Sequence, residues 1–150
     1  MATHADHLRD ALVDQLLETG AVRTPRVEAA LRAVPRHVFV PDAPLRRAYA
    51  DDVVQTKVDS DGIPISAASQ PSIVGVMLEQ LAVAPGMRVL EIGAGTGYNA
   101  GLLAHLAGDG GSVVTLDVDE DIVDGARAAL AEAGFPGVTV ILGDGALGYA

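Results

Sequence analysis

The 150-residue sequence has no cysteine, which excludes disulfides and thiol catalysis and fits a reducing compartment. It also lacks any apolar run near the roughly 20 residues that a membrane span needs, and its start, MATHADHLRD, has no basic-then-apolar signal layout. The expected location is therefore the cytoplasm, with no membrane partner. Basic residues are scarce: ten Lys and Arg stand against twenty Asp and Glu, for a net charge of -10. Phosphate binding usually draws on clustered Lys and Arg, so nucleic acid is not an expected partner. Arg46 and Arg47 are adjacent, and Arg26, Arg32 and Arg36 surround one helix; these read as solvated faces rather than a basic patch.

What the sequence does have is apolar residues, at 49%, enough for the packed core of one domain. Residues 4–19 place Leu8, Leu12, Val13, Leu16 and Leu17 at helical spacing, with Gly20 as a stop. Thr24-Pro25 reads as a cap and first-turn proline for a second helix, whose stripe is Val27, Ala30, Leu31 and Val34. The segment PRHVFVP is expected to run extended, and residues 44–49 to form one or two helical turns. Residues 53–58 and 63–65 read as a hairpin in which Pro64 confines pairing to an edge. A helix opening at Pro71 is expected to bury Ile73, Val74, Met77, Leu78 and Leu81.

From there strand and helix alternate: strand 88–92, helix 98–107, strand 112–117, helix 119–133 and strand 138–142. Such alternation predicts an α/β fold with a parallel, doubly wound sheet. The expected organisation is an N-terminal helical and hairpin segment, 1–70, covering a site carried by a Rossmann-like part, 71–150. Only three strands are laid down, leaving a long apolar edge. We expect either more chain beyond Ala150 or some other cover for that edge.

The most informative stretch is VLEIGAGTG, residues 89–97, in which glycine falls at Gly93, Gly95 and Gly97 after the acid Glu91. It reads as strand, tight turn and helix start, where a ligand can lie against the backbone. A phosphate-cradling P-loop is excluded because Tyr98-Asn99 follows Gly97 in place of Lys-Ser/Thr. The dinucleotide fingerprint is excluded because the sixth position from Gly93 is Tyr98. What remains is E-x-G-x-G-x-G followed by Asp117, 20 residues past Gly97, and by Asp144 after the third strand. These groups fall at the carboxyl edge of one sheet, where open α/β sheets bind ligands. S-adenosylmethionine suits such an edge. It carries no phosphate, its ribose and adenine offer donors to Asp117 and Asp144, and its sulfonium tolerates acids.

The chain from about Thr24 onward resembles the class I methyltransferases, and more closely the protein L-isoaspartyl O-methyltransferase family. The resemblance is carried by RVEAALRAVPRHVFVP (26–41), Ala48-Tyr49, ISAASQP (65–71), VLEIGAGTGYNAGLLA (89–104) and GDGALGYA (143–150). It implies a Rossmann-like methyltransferase fold, S-adenosyl-L-methionine as cofactor, and esterification of an isoaspartyl carboxylate in a protein or peptide, with collapse of the ester to a succinimide. Matched position by position, it assigns cofactor binding to Glu91, Gly93, Ala94, Gly95, Thr96, Gly97, Asp117, Val118, Asp144 and Gly145. Gly93, Gly95 and Gly97 would line the methionine portion, Asp117 the ribose, and Asp144 with Gly145 the adenine. Ser69 matches the serine of the family's Ser-x-Pro signature, which helps place cofactor and substrate.

The chemistry agrees with this inventory: a carboxylate ionised at pH 7 needs no general base, so alignment and desolvation carry the reaction. Ser69 at a helix N-terminus fits an anion. His4, His7 and Asp6 read as a mobile, solvated N-terminus, and His37 and His105 as packing or surface residues, so no metal is assigned. Ser72 stands where the family often has a histidine or aromatic residue after Ser-x-Pro, and Ala67-Ala68 lengthens the spacing from Ser66. Similar variants resemble tailoring methyltransferases that esterify an aspartate in a ribosomally made peptide. A cofactor-binding module without catalysis, and a methyltransferase acting on nucleic acid or a small molecule, remain the alternatives.

Overall fold

The computed structural model describes all residues from Met1 to Ala150, and the chain divides into two compact units, Met1–Ala82 and Val83–Ala150. The boundary expected at 70/71 shifts because the helix that follows belongs with the first unit. No helix is long and apolar enough to cross a membrane.

In the first unit, α1 (His4–Glu18) opens on a reciprocal capping box: the Thr3 hydroxyl accepts the Asp6 N–H, and the Asp6 carboxylate accepts the Thr3 N–H. His4, Asp6 and His7, expected to be mobile, are thus ordered in the opening of a helix. The helix buries Leu12, Val13 and Leu16. α2 (Pro25–Ala33) buries Val27, Ala30 and Leu31 as its spacing requires. Thr24 occupies the N-cap position without capping; its hydroxyl donates to Glu79 Oε1 at 3.2 Å, which also accepts the N–H groups of Arg23 and Thr24.

Val34 stays extended before Pro35, but the chain then tightens into a 3-10 helix over Arg36–Phe39. PRHVFVP is therefore not an extended run: Val38 N–H bonds back to Pro35 O and Val40 N–H to His37 O. A short α3 (Leu45–Ala48) follows. β1 (Val54–Val58) pairs antiparallel with β2 (Pro64–Ala68), from Val58 opposite Pro64 to Val54 opposite Ala68. The second strand thus runs three residues past the 65 expected. Pro64 sits at its first position, where a missing N–H is tolerated.

α4 (Pro71–Leu81) buries Pro71, Val74, Gly75 and Leu78, while Ile73, Met77 and Leu81 are each about half exposed. The expected stripe was right at Val74 and Leu78 and wrong at the other three. The helix is apolar on more than one face, so its pattern does not fix which face turns inward. Gly75 does: a Cβ there would lie 2.9 Å from the Val22 side chain, so backbone approaches side chain too closely for any larger residue.

The second unit is a parallel three-stranded sheet in the order β3 (Arg88–Ile92), β4 (Ser112–Asp117), β5 (Thr139–Leu142). Its register sets Ile92 beside Leu116, and Asp117 beside Leu142. α5 (Tyr98–Ala107) and α6 (Glu120–Glu132) supply the crossovers. They contact each other and both contact β4, which puts them side by side on one face of the sheet. α5 buries Ala100, Leu102, Leu103 and Leu106, and α6 buries Val123, Ala126 and Leu130. Truncating such a leucine to alanine costs about 2–5 kcal/mol. The α/β, Rossmann-like class expected from strand and helix alternation is the one observed.

Candidate cofactor and substrate site

The second unit brings its expected cofactor residues to the carboxyl edge of the sheet. β3 ends at Ile92, and the chain turns at Gly93, whose N–H and that of Ala94 both donate to Leu116 O at 2.8 and 2.9 Å. This pair of hydrogen bonds to one carbonyl of the neighbouring strand fixes the turn's first half. Its second half is fixed by Asp117, whose Oδ2 accepts the Gly95 N–H at 3.2 Å. Gly93 and Gly95 adopt φ of +93° and +53°, and a Cβ on either would meet nothing within 4 Å. The turn therefore combines a backbone that favours glycine with open space above it.

Gly97 differs from its two neighbours. It is the N-cap of α5 with φ +89°, and a Cβ would come within 3.3 Å of Ala126 and Leu130. Its place is against α6, not on the open side. Thr96 Oγ1 accepts the Tyr98 N–H at 3.2 Å, and Ala94 is buried.

Glu91 lies beneath the turn. Its carboxylate accepts Asn99 Nδ2 and Thr115 Oγ1, both at 2.7 Å. Burial pushes the Glu91 carboxyl above its ordinary value, with the charge of Asp117 adding to the effect, while the Asn99 and Thr115 hydrogen bonds pull the other way. Each carboxylate oxygen accepts one hydrogen bond from within the chain, so Glu91 ties β3 to β4 and α5. Asn99 and Thr115 were not singled out by sequence. Their signal is a polar residue in an apolar helix and another in the apolar strand VVTLD.

Asp117 and Asp144 end β4 and follow β5. Asp117 Oδ1 also accepts the Asp119 N–H at 3.3 Å, and each carboxylate oxygen keeps a lone pair for a further donor. Asp144 is exposed and caps a 3-10 turn over Gly145–Leu147, accepting the Ala146 N–H at 2.9 Å. Gly145 packs on Ile92, whose γ-methyl would clash with any Cβ there. Val118 is 71% exposed, an apolar side chain standing free at the same edge.

Ser69 lies in the first unit. It is exposed and directly precedes Gln70, the N-cap of α4. The anion-accepting helix end expected there is already used: Asp51 Oδ1 accepts the Ser72 N–H at 2.8 Å. Behind the loop is Arg36, read from sequence as solvated and in fact with no exposed surface. It donates from Nε to Ala48 O at 2.9 Å and from Nη2 to Ser69 O at 3.0 Å. His37 Nδ1 and the Tyr49 hydroxyl are 2.7 Å apart. The segments PRH, AY and SQP, far apart in sequence, are thus parts of one hydrogen-bonded assembly. His105, at the far end of α5, is exposed.

A family model described as Protein-L-isoaspartate(D-aspartate) O-methyltransferase (PCMT) matches residues 7–150. A curated protein-L-isoaspartate O-methyltransferase of Methanoculleus marisnigri is 43% identical over 141 residues, which are 94% of this chain and 60% of that protein. A solved protein-L-isoaspartate O-methyltransferase is similar with a TM-score of 0.81 at 33% identity, covering 91% of this chain and 42% of that one. A Plasmodium falciparum structure, solved with S-adenosyl-L-homocysteine, shares the fold at 18% identity, with a TM-score of 0.77 over 90% of this chain and 62% of that one. The chain spans about three fifths of the length of the curated relatives it matches.

Proposed function

This chain belongs to the protein-L-isoaspartate(D-aspartate) O-methyltransferase family, and from that premise we propose that it is part of an enzyme that esterifies isoaspartyl carboxylates in proteins or peptides with S-adenosyl-L-methionine. The observation that carries this is the open turn at Gly93 and Gly95, tied by the Gly95 N–H to Asp117 at the carboxyl edge of a parallel sheet. The residues present fit the cofactor. Bare backbone with empty space above it suits the methionine portion, and two carboxylates with free lone pairs suit a ribose diol and an adenine amine. No cation is required, because the cofactor has no phosphate.

When bound, the cofactor supplies a methyl group on a sulfonium, a leaving group that departs with its electron pair. In this scheme Asp117 holds the ribose, and Asp144 with Gly145, together with the exposed Val118, bounds the adenine. Glu91 keeps the turn in shape through Asn99 and Thr115. Ser69, exposed and without a partner in the chain, aligns the substrate carboxylate. That carboxylate is ionised at pH 7 and attacks directly, so the chain contributes alignment and exclusion of water in place of a general base. The methyl ester is then open to attack by the adjacent backbone nitrogen of the substrate, which expels methanol and leaves a succinimide.

A second substrate, an aspartyl carboxylate in a dedicated precursor peptide, is favoured by Ser72 standing after the Ser-x-Pro. Incubating the full-length protein with methyl-labelled cofactor and matched isoaspartyl and aspartyl peptides tests both. Label on the isoaspartyl peptide supports the proposal, and label on the aspartyl peptide alone favours the second substrate. Tight cofactor binding with neither peptide labelled points to a binding module without catalysis.

A further inference from the structure

We propose that Arg36 and Asp51 are positioning residues for Ser69, holding its loop at two points so that the hydroxyl is presented in one place; this rests on the substrate-side role of Ser69 proposed above. Ser69 itself has a backbone under constraint and a side chain under none. Its carbonyl is taken by Arg36 Nη2 at 3.0 Å, while its hydroxyl is exposed and bonds to nothing in the chain. Three residues on, the Ser72 N–H is held by Asp51 Oδ1 at 2.8 Å, and between them Gln70 Nε2 donates to Asp51 O at 3.3 Å.

The grip is specific to an arginine. A guanidinium is a planar fork whose donors point in fixed directions. Nε is spent on Ala48 O at 2.9 Å and Nη2 on Ser69 O, so the end of α3 and the Ser69 loop are set relative to each other by one rigid group. A lysine offers a single ammonium and cannot span both carbonyls in that geometry. Complete burial of a cation is costly unless its donors are used, and Arg36 has no exposed surface. Side-chain packing alone would be met by an apolar residue of similar volume. Asp51 adds the complementary hold: its carboxylate caps α4 at its second residue, in place of a side chain at Gln70, which makes no capping bond.

The test uses Arg36→Lys and Asp51→Ala, each alone and combined with Ser69→Ala, in the full-length protein with an isoaspartyl peptide and S-adenosylmethionine. The expected result is a fall in kcat of about 10–100-fold for either single substitution, the scale set by an ångström of misplacement. KM for the cofactor stays unchanged, and neither substitution lowers kcat further once Ser69 is alanine. Asp51→Asn, which keeps an acceptor oxygen, recovers most of the Asp51→Ala loss. Losses that add to that of Ser69→Ala, or an unchanged kcat, overturn the inference. If Arg36→Lys does not fold, the Asp51 pair decides alone, since it changes only a capping contact. If Ser69→Ala itself leaves kcat unchanged, the substrate-side role of Ser69 fails and the positioning role falls with it; an active Ser69 with additive Arg36 and Asp51 effects overturns only the positioning role.

Discussion

The Gly95 N–H donates to Asp117 Oδ2 at 3.2 Å, so the acid that ends β4 holds the turn that follows β3. One carboxylate therefore shapes the glycine turn and faces the edge where the ribose is expected. Asp117→Ala removes both, and cofactor affinity is expected to fall by roughly 10–100-fold, the range of a charge-assisted hydrogen bond. Calorimetric titration with S-adenosylhomocysteine measures it; an unchanged Kd would place the ribose elsewhere.

Two glycines separate folding from binding. At Gly75 an added methyl meets the Val22 side chain at 2.9 Å, so Gly75→Ala is expected to cost on the order of 1–3 kcal/mol of stability. At Gly93 the added methyl meets no atom within 4 Å but projects into the space above the turn, at φ +93°. Gly93→Ala is expected to lose about 1–2 kcal/mol to backbone strain and to weaken cofactor binding as well. Thermal midpoints and Kd values measured on both variants read the contrast. Equal losses of affinity would contradict it.

Glu91 predicts a pH effect with a definite sign. Burial raises its carboxyl above the ordinary 4.5, so the folded chain holds this proton more tightly than the unfolded chain. Its stabilising contribution is complete below the unfolded value and is lost as pH rises through the folded one. Glu91→Gln removes that titration, so the thermal midpoint of the variant should decline less than that of the parent as pH rises from 4.5 through the raised value. Parallel pH profiles for the two proteins would show that Glu91 is not the group responsible.

Ser69→Ala is expected to reduce turnover of an isoaspartyl peptide by at least about tenfold, the lower end for a lost alignment contact. S-adenosylhomocysteine affinity should stay the same. A weakened Kd with normal turnover at saturating cofactor would move Ser69 from the substrate side to the cofactor side.

The second unit was nearly legible from sequence. Helix 98–107 and strand 112–117 were read with the bounds observed, because Gly97 and the glycines from 108 to 111 punctuate the apolar runs. The positions of Asp117 and Asp144 were legible too, since Asp117 ends one parallel strand and Asp144 follows the next. The first unit was harder. Arg36 in AVPRHVFVP looks like any surface arginine until the carbonyls of Ala48 and Ser69, 12 and 33 residues away, are found against it. α4 offered apolar residues on several faces, and only the close approach at Gly75 selects one. Asp51 gave no local signal, because the N–H that it satisfies lies 21 residues further along the chain.

The proposed reaction is transfer of a methyl group to an isoaspartyl carboxylate. It is tested most directly by following base-labile methanol release from an isoaspartyl peptide, with the aspartyl peptide as the control, in the presence of the full-length protein and S-adenosylmethionine. Ester formation on the isoaspartyl peptide, followed by succinimide and dependent on both Asp117 and Ser69, is the result predicted. No ester on that peptide, from a protein that binds the cofactor and is folded, would contradict it.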